Sequence, residues 1–176
     1  MPLKRKIAYI DLSTGEVETR SIPIEMRRKY IGGRGLDAYL LYNHCPEGCD
    51  SLGPDNPLIV SAGIVAGCLA SASSRTHVMA KSPLTGALGS ANMGGFFAPE
   101  LAWAGFHHLV IKGRAEKPVY LFVNDGEIEI RDASRIWGQN VYDAQEMIRQ
   151  ELWDPEVQVM VTGPAGEKLV RFANVM

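Results

Sequence analysis

The amino-acid sequence predicts an α+β fold that consists mainly of antiparallel β-sheets with a few short helices. Two hairpin patterns carry this prediction, because apolar runs of strand length flank Ser13-Thr14-Gly15 and Asn124-Asp125-Gly126. A glycine at such a turn supplies the positive φ that reverses the chain. Helical spacing of apolar residues is confined to a few short stretches. With 176 residues, 46% of them hydrophobic, the chain can bury a core as one domain.

The beginning of the chain is predicted to form a hairpin followed by two helices. Residues 7–12 and 16–22 are the two strands, because apolar and polar residues partly alternate in them. Pro23 suits the first position of the first helix, and Gly32-Gly33 ends that helix. Residues 36–44 form the second helix, since apolar residues recur there at helical spacing.

The middle of the chain is predicted to be a loop, three strands and a short helix. Residues 46–57 are rich in proline, glycine and acidic residues, which is typical of a loop, and residues 58–62 are a buried strand. Strands at 77–81 and 87–91 lie on either side of a Ser-Pro-Leu-Thr-Gly turn. A helix follows at 96–104.

The last part of the chain is predicted to contain more strands and one longer helix. Strands are expected at residues 108–112, 119–123, 127–131 and 157–161. Residues 141–152 show helical spacing of apolar side chains, and residues 168–176 form one further strand.

The two hairpins indicate an internal duplication. Residues 8–20 align without a gap on residues 119–131, and a tyrosine, a Gly-Glu pair, a second glutamate and an arginine stay in register. The half-repeats would be residues 1–70 and 107–176, related by a pseudo-two-fold axis, with residues 71–106 between them. Convergence of two similar hairpins is the alternative, so the repeat is treated as a supersecondary unit.

Charge and cysteine content exclude several classes of partner. Eighteen basic and twenty acidic residues give a formal net charge of -2, so no nucleic acid or anionic membrane is expected as a partner. No apolar stretch approaches the roughly 18 residues of a membrane span, and we expect a cytoplasmic protein. Cys45 and Cys49 have C-x3-C spacing, and with Cys68 they are expected to be ordinary reduced thiols.

The sequence predicts structural rather than functional roles for the histidines and the aromatic residues. His107 and His108 are neighbours on a predicted strand and point to opposite faces, so a histidine metal site is discounted. Phe96, Phe97 and Trp103 lie in or beside a helix, where core packing is expected. No nucleophile and base, or pair of carboxylates, is indicated by spacing.

The segment from Ser73 to Phe96 concentrates the residue types of a phosphate-binding site. Arg75 can donate two parallel hydrogen bonds to a phosphate, and Asn92 lies close to Gly94 and Gly95, whose bare backbone admits a ligand. Free backbone N–H groups at the start of the following helix would also face an anion. The alternative is an ordinary turn between two strands, with Arg75 paired to a surface carboxylate.

Several motifs of the chain resemble the N-terminal domain of the tungsten-dependent aldehyde:ferredoxin oxidoreductase family. The resemblance extends over almost the whole chain and keeps the order of the motifs. These are Asp11-Leu-Ser-Thr-Gly15, Gly32-Gly-Arg-Gly35, Arg75 with Lys81-Ser-Pro-Leu-Thr-Gly86, Ala91-Asn-Met-Gly-Gly-Phe-Phe97, Trp103-Ala-Gly-Phe106, Gly113-Arg-Ala-Glu-Lys-Pro-Val119, Glu129-Ile-Arg-Asp-Ala-Ser134 with Trp137-Gly138, and Gly163-Pro-Ala-Gly-Glu167.

The resemblance implies a single N-terminal domain, residues 1–176, that cradles a tungsten bis-pterin cofactor, or its molybdenum analogue, partly with the 71–106 segment. Arg75 resembles an arginine that contacts the pterin phosphate region, and Gly94, next to Gly95, resembles a pterin-contacting glycine. Asn92 resembles the residue whose backbone carbonyl helps to hold the Mg²⁺ that bridges two pterin phosphates. Arg34 matches as well, without an assigned role beyond ligand or interdomain contact.

The resemblance also implies that these residues are incomplete as an enzyme. Oxidation of aldehydes to acids, with electron transfer to ferredoxin, would need a 4Fe-4S cluster carried by domains outside this chain. The remaining domains or a separate subunit would therefore be partners, and the chain on its own would be inactive. The alternative is a non-catalytic module, or a split subunit, that binds a phosphorylated small molecule or a partner subunit.

Overall fold

The computed structural model describes residues 5–176. In this range the helices are α1 (Ile24–Tyr30), α2 (Arg34–His44), α3 (Phe97–Trp103), α4 (Val141–Leu152) and α5 (Gly163–Glu167). The strands are β1 (Lys6–Asp11), β2 (Glu16–Ser21), β3 (Leu58–Ala62), β4 (Thr76–Lys81), β5 (Leu88–Met93), β6 (Phe106–Lys112), β7 (Val119–Asn124) and β8 (Glu127–Asp132). None of these helices is long and apolar enough to cross a membrane.

A six-stranded sheet with the order β2-β1-β6-β3-β4-β5 forms the centre of the fold. All neighbouring strands are antiparallel except β1 and β6, which run parallel. A parallel pair needs a long connection between its strands, and the chain between β1 and β6 provides one. Strands β7 and β8 form a separate two-stranded antiparallel sheet. The predicted fold class, α+β with mainly antiparallel sheets and short helices, is confirmed.

The central strands of the six-stranded sheet are buried on both faces, whereas the edge strand β2 is exposed throughout and β5 is largely exposed. Side chains alternate along each strand, so that Ile59, Met79 and Val110 meet Leu36 and Leu40 of α2 on the face that we call the α2 face. The opposite face, called the α3 face, is covered by α3 and by apolar side chains of β7 and β8. Its buried residues include Ala8, Ile10, Val60, Ala62, Leu109 and, from α3, Leu101.

Local turn chemistry forms the two hairpins as predicted. Gly15 has φ 77° in the first turn, and the second turn holds Asp125 at φ 43° and Gly126 at φ 89°. Aspartate and glycine tolerate these positive φ values, which match the twist of the flanking strands. Helices α1 to α4 also lie where predicted, although α2 begins at Arg34, two residues early, whereas α5 was not predicted.

The strands predicted at residues 157–161 and 168–176 are not formed. Residues 157–162 have no regular secondary structure, and α5 is followed by turns. Val161 and Met176 exchange two backbone hydrogen bonds of 2.9 Å, but no strand pairs along the rest of the segment among residues 5–176. An alternating sequence becomes a strand only when a neighbour completes its hydrogen-bond ladder, which sequence periodicity does not reveal.

The two halves of the chain share the hairpins but differ around them. Tyr9 pairs with Glu18, whereas the corresponding Tyr120 pairs with Arg131 rather than with Glu129. Loop length explains the shift, because the first loop is residues 12–15 and the second only residues 125–126. The first hairpin also belongs to the six-stranded sheet and the second does not. The duplication into half-repeats stays a prediction.

Candidate functional site

The predicted site residues Arg75 and Gly94 lie at the same end of neighbouring strands. Strand β4 begins at Thr76, which pairs with Met93, the last residue of β5. Extending this register by one residue sets Arg75 opposite Gly94. Strand β5 continues two residues beyond its predicted end, so Asn92 is a strand residue, paired with His77.

Arg75 presents a free cation at this end of the sheet. Its backbone is fixed, since the Arg75 carbonyl accepts a hydrogen bond of 2.9 Å from the N–H of Gly63. Its side chain is exposed, and among residues 5–176 it makes no ion pair. Within residues 5–176 no carboxylate therefore neutralises Arg75, and its guanidinium is open to a ligand.

The backbone of Asn92 faces away from the sheet. The N–H of Ser82 donates to the Ala87 carbonyl at 2.8 Å, and hydrogen-bonded pairs alternate along an antiparallel ladder. By this alternation His77 and Asn92 are a non-hydrogen-bonded pair. Because β5 is the edge strand, the Asn92 carbonyl points outward, where a hard cation could accept it as a ligand.

Gly94 and Gly95 leave an open surface beside Asn92. A Cβ atom added to either glycine would meet no heavy atom within 4 Å, and Gly95 has φ 87°. A ligand can therefore approach the bare backbone here. Helix α3 begins at Phe97, as expected, but it has only seven residues and no side-chain cap, so its dipole adds little to the site.

A buried polar network supports this end of the sheet, and sequence analysis did not find it. The carboxylate of Asp37, fully buried in the first turn of α2, accepts hydrogen bonds from three side chains. Ser61 Oγ and His77 Nδ1 each lie 2.5 Å from Oδ2, and His108 Nδ1 lies 2.7 Å from Oδ1. His77 Nε2 lies 2.9 Å from the hydroxyl of Ser90 on β5.

The network holds Asp37 as an anion. Burial raises the pKa of Asp37, but hydrogen bonds from His108, His77 and Ser61 outweigh burial, and the net pKa lies below the ordinary value of 3.8. Since a carboxylate only accepts, both Nδ1 atoms donate, and Nε2 of His77 shares a hydrogen bond with the Ser90 hydroxyl. The chain of bonds ties α2 to the edge strand that carries Asn92.

The only sequence signal for this network is a polar residue at an apolar position. Asp37 follows Leu36 on the buried stripe of α2, and Ser61 lies within the apolar strand β3. The partners of Asp37 are 24 to 71 residues away, so spacing could not bring them together.

Three arginines add positive charge near this end of the sheet, where the Asp37 carboxylate is buried in its own network. Arg34 begins α2, one turn before Asp37, and is exposed. Arg5, just before β1, donates from Nη2 to the Ile64 carbonyl, and burial followed by the charge of Arg27 lowers the pKa of Arg5. Arg5, Arg34 and Arg75 make no ion pair within residues 5–176. The arrangement suits an anionic ligand.

Two of the aromatic residues assigned to the core are exposed. Phe96 is 68% and Trp103 63% exposed, whereas Phe97 packs, half-buried, on the α3 face. The indole Nε1 of Trp103 donates to the Gly67 carbonyl at 3.2 Å, which ties α3 to the loop that precedes Arg75. A seven-residue helix over a sheet buries one side only, so its last residue remains at the surface.

A large groove lies away from these residues. It has a volume of about 720 Å³, and side chains of the α3 face, of β7 and of residues 157–163 line it. Its walls are mostly apolar and include neither Arg75 nor Asn92. Residues 5–176 contain no cluster of three His, Cys, Asp or Glu side chains placed to hold a metal ion.

Fold and site together define an α+β domain with an open cationic edge suited to an anionic ligand. The family model described as aldehyde ferredoxin oxidoreductase, N-terminal domain, matches residues 7–176. The chain belongs to this family.

Individual relatives agree with this assignment. Tungsten-containing aldehyde ferredoxin oxidoreductases of Pyrococcus furiosus and Thermococcus kodakarensis are 44% and 42% identical over 95% of the chain. The chain spans 28% of the length of these relatives. A solved structure, the active site complex BamBC of benzoyl coenzyme A reductase in complex with 1,5-dienoyl-CoA, superimposes with a TM-score of 0.94 at 35% identity. The superposition covers 97% of the present chain and 26% of the chain in that solved structure.

Proposed function

We propose that this chain is the cofactor-cradling part of a tungsten, or molybdenum, pterin oxidoreductase that oxidises aldehydes to acids. The observation that carries the proposal is the free guanidinium of Arg75 opposite the open backbone of Gly94 and Gly95. Membership in the family supplies the chemistry, since relatives that match the chain are tungsten-containing aldehyde ferredoxin oxidoreductases.

The residues present fit the phosphates of such a cofactor better than its metal. Arg75 would bind a pterin phosphate, and the outward carbonyl of Asn92 would be one oxygen ligand of an Mg²⁺ ion bound with the phosphates. Gly94 and Gly95 give the pterin room to lie against the backbone, because no Cβ intervenes. When bound, the tungsten centre would supply two-electron oxidation of the substrate, with sulfur ligands that come from the pterin.

Catalysis requires groups beyond these residues. A 4Fe-4S cluster in further domains or in a partner subunit would pass electrons to ferredoxin in the cytoplasm. The cationic end of the sheet would bind the cofactor from one side, and those domains would cover the other. The role of this chain is then to position the cofactor and to neutralise its phosphates.

A split subunit is the second candidate. The similar solved structure is a complex, BamBC, and a further relative, 29% identical, is an aliphatic sulfonate oxidoreductase, WOR-like subunit, of Pyrococcus furiosus. In that case a separate chain would carry the remaining domains. Denaturing electrophoresis of the purified active enzyme separates the two candidates, because only a split subunit would appear as a band distinct from the chain that carries the cluster.

Replacing Arg75 by alanine is expected to weaken cofactor retention roughly tenfold to a hundredfold. A charge-assisted hydrogen bond is worth ~1.5–3 kcal/mol. The fold should stay intact, because the Arg75 side chain is exposed. The measurement is pterin and tungsten content of the complete enzyme after extensive dialysis. Asn92→Ala should change little, because alanine keeps the backbone carbonyl.

Arg135→Ala is the matched control, since Arg135 is an exposed residue that follows β8, a strand of the two-stranded sheet. It should retain pterin as the unmodified enzyme does. Unchanged pterin occupancy in the Arg75→Ala enzyme, with an unchanged circular dichroism spectrum, would remove Arg75 from the cofactor site.

The 176-residue chain alone is expected to be colourless and inactive with aldehydes and a viologen acceptor. Its relatives are more than three times as long, since it spans 28% of them, and the cluster would lie in their remaining length. Aldehyde oxidation clearly above a control without protein would contradict this expectation and assign the whole active centre to this chain.

A further inference from the structure

Two cysteines near the end of α2 lie almost within bonding distance of each other. Cys45 directly follows α2, and its Sγ lies 2.7 Å from Sγ of Cys49. This separation is within about 0.7 Å of the ~2.05 Å length of a disulfide bond. Both thiols are free and half-buried, whereas the third, Cys68, is exposed.

The backbone between the two cysteines is already closed into a turn. The N–H of Cys49 donates to the Pro46 carbonyl at 3.2 Å, and Gly48 adopts φ 75°. The fixed φ of proline and the positive φ of glycine favour this reversal without help from a covalent link. The thiols are therefore held together by the fold before any oxidation.

A lysine from the sheet fixes the second cysteine in place. Lys81, the last residue of β4, donates from Nζ to the Cys49 carbonyl at 2.6 Å. The side chain of Asn56 accepts a hydrogen bond from the N–H of Lys81 and donates one to the Lys81 carbonyl, each at 3.0 Å. These bonds anchor the loop that carries Cys49, so the two sulfurs stay close while the domain is folded.

We propose that Cys45 and Cys49 are an oxidisable pair that forms an intrachain disulfide with a small-molecule disulfide as the oxidant. The Cys49 thiolate attacks one sulfur of the small disulfide, and the other sulfur leaves as a thiolate that takes up a proton. Cys45 then loses its proton to solvent and attacks Cys49 Sγ, which releases the second small thiol. The two cysteines are oxidised, one small disulfide is reduced to two thiols, and no further reactant is needed.

The order of attack follows from the surroundings of Cys45. Burial, followed by the neighbouring Cys49 sulfur, raises the pKa of Cys45 to about 11. The Cys45 thiol also lies 3.8 Å from the Pro46 carbonyl, which it can approach as a donor. Cys45 therefore stays protonated near neutral pH and serves as the second, resolving thiol.

This pair lies at the opposite end of the sheet from the proposed cofactor edge. Strand β4 runs from Thr76, next to Arg75, to Lys81, next to Cys49. The proposal is therefore independent of the pterin site. Its failure would leave the Arg75 result unaffected, and the reverse also holds.

The test is incubation of the folded, reduced protein with oxidised glutathione, followed by alkylation and mass spectrometry. Cleavage after Glu47 and before Asp50 and Asp55 separates the three cysteines into different peptides. We expect the fragments that carry Cys45 and Cys49 to remain joined, with a loss of two hydrogens and of two of the three alkylatable thiols. Cys68 should be alkylated or carry one glutathione.

Two variants complete the experiment. Cys68→Ser should form the same link, while Cys49→Ser should keep Cys45 as an alkylatable thiol. Stable glutathione adducts on Cys45 or Cys49 without a link between them would overturn the proposal. A disulfide that includes Cys68, or the recovery of all three cysteines as unreacted thiols, would also overturn it. The same oxidation in urea checks that the fold selects the pair, since unfolded chains should also link Cys68.

Discussion

Replacing Asp37 by alanine is expected to lower the free energy of unfolding by about 3–5 kcal/mol, the cost typical of breaking a buried ionic network from one side. The change leaves Ser61, His77 and His108 with buried polar atoms that lose their common acceptor. Each such atom carries a desolvation cost of about 1–3 kcal/mol. A cavity in the first turn of α2 adds to the loss.

The measurement is urea unfolding near pH 7, monitored by circular dichroism. Asp37→Asn keeps the shape but replaces one acceptor oxygen by a donor, so it should be intermediate in stability. Glu146→Ala on the exposed face of α4 is the control and should change stability by less than about 0.5 kcal/mol. A loss below about 1 kcal/mol in the alanine variant would show that the network does not hold α2 on the sheet.

Acidification from pH 7.5 to pH 4 is expected to remove up to about 3 kcal/mol of unfolding free energy through His107. Burial, followed by the charge of Arg5, lowers the pKa of His107 from 6.5 to about 4, with smaller contributions from His108 and Arg27. Its Nδ1 is buried without a hydrogen-bond partner. The folded state therefore holds the imidazole neutral, whereas the unfolded chain takes up a proton below pH 6.5.

The sign follows from which state binds more protons. Above pH 6.5 neither state protonates His107, so its contribution is fully present. Between pH 6.5 and about 4 only the unfolded state binds the proton, and stability falls. Asp37 acts in a lower window, because its pKa lies below 3.8 in the fold. Its contribution is present above pH 3.8 and is lost as the pH falls further.

Urea unfolding at a series of pH values tests this expectation. His107→Gln should flatten the plot of unfolding free energy against pH between pH 6.5 and 4, whereas His44→Gln should remove only a smaller part of that slope, because burial lowers the pKa of His44 as well. An NMR titration of the His107 ring in the unmodified protein gives a second readout and should have its midpoint near pH 4. A midpoint near 6.5 would contradict the proposed cause.

The sequence by itself determined the parts of this protein that depend on neighbouring residues. Turn residues at Gly15 and Asp125-Gly126 specified both hairpins, because positive φ is a local property of the chain. Apolar periodicity located α1 to α4, and ordered motifs identified the family, which the match over residues 7–176 confirmed. The hairpin of β4 and β5, whose turn the sequence predicted, brings Arg75 and Asn92 to one end of the sheet.

Tertiary structure decided what depends on partners distant in the chain. Asp37 meets His108 across 71 residues, and β1 pairs in parallel with β6, which no spacing rule encodes. Residues 157–161 alternate as a strand does, yet they find no ladder within residues 5–176. Periodicity records only that a residue has a buried side, whereas the partner on that side is chosen by which apolar faces and polar groups meet when the whole core closes.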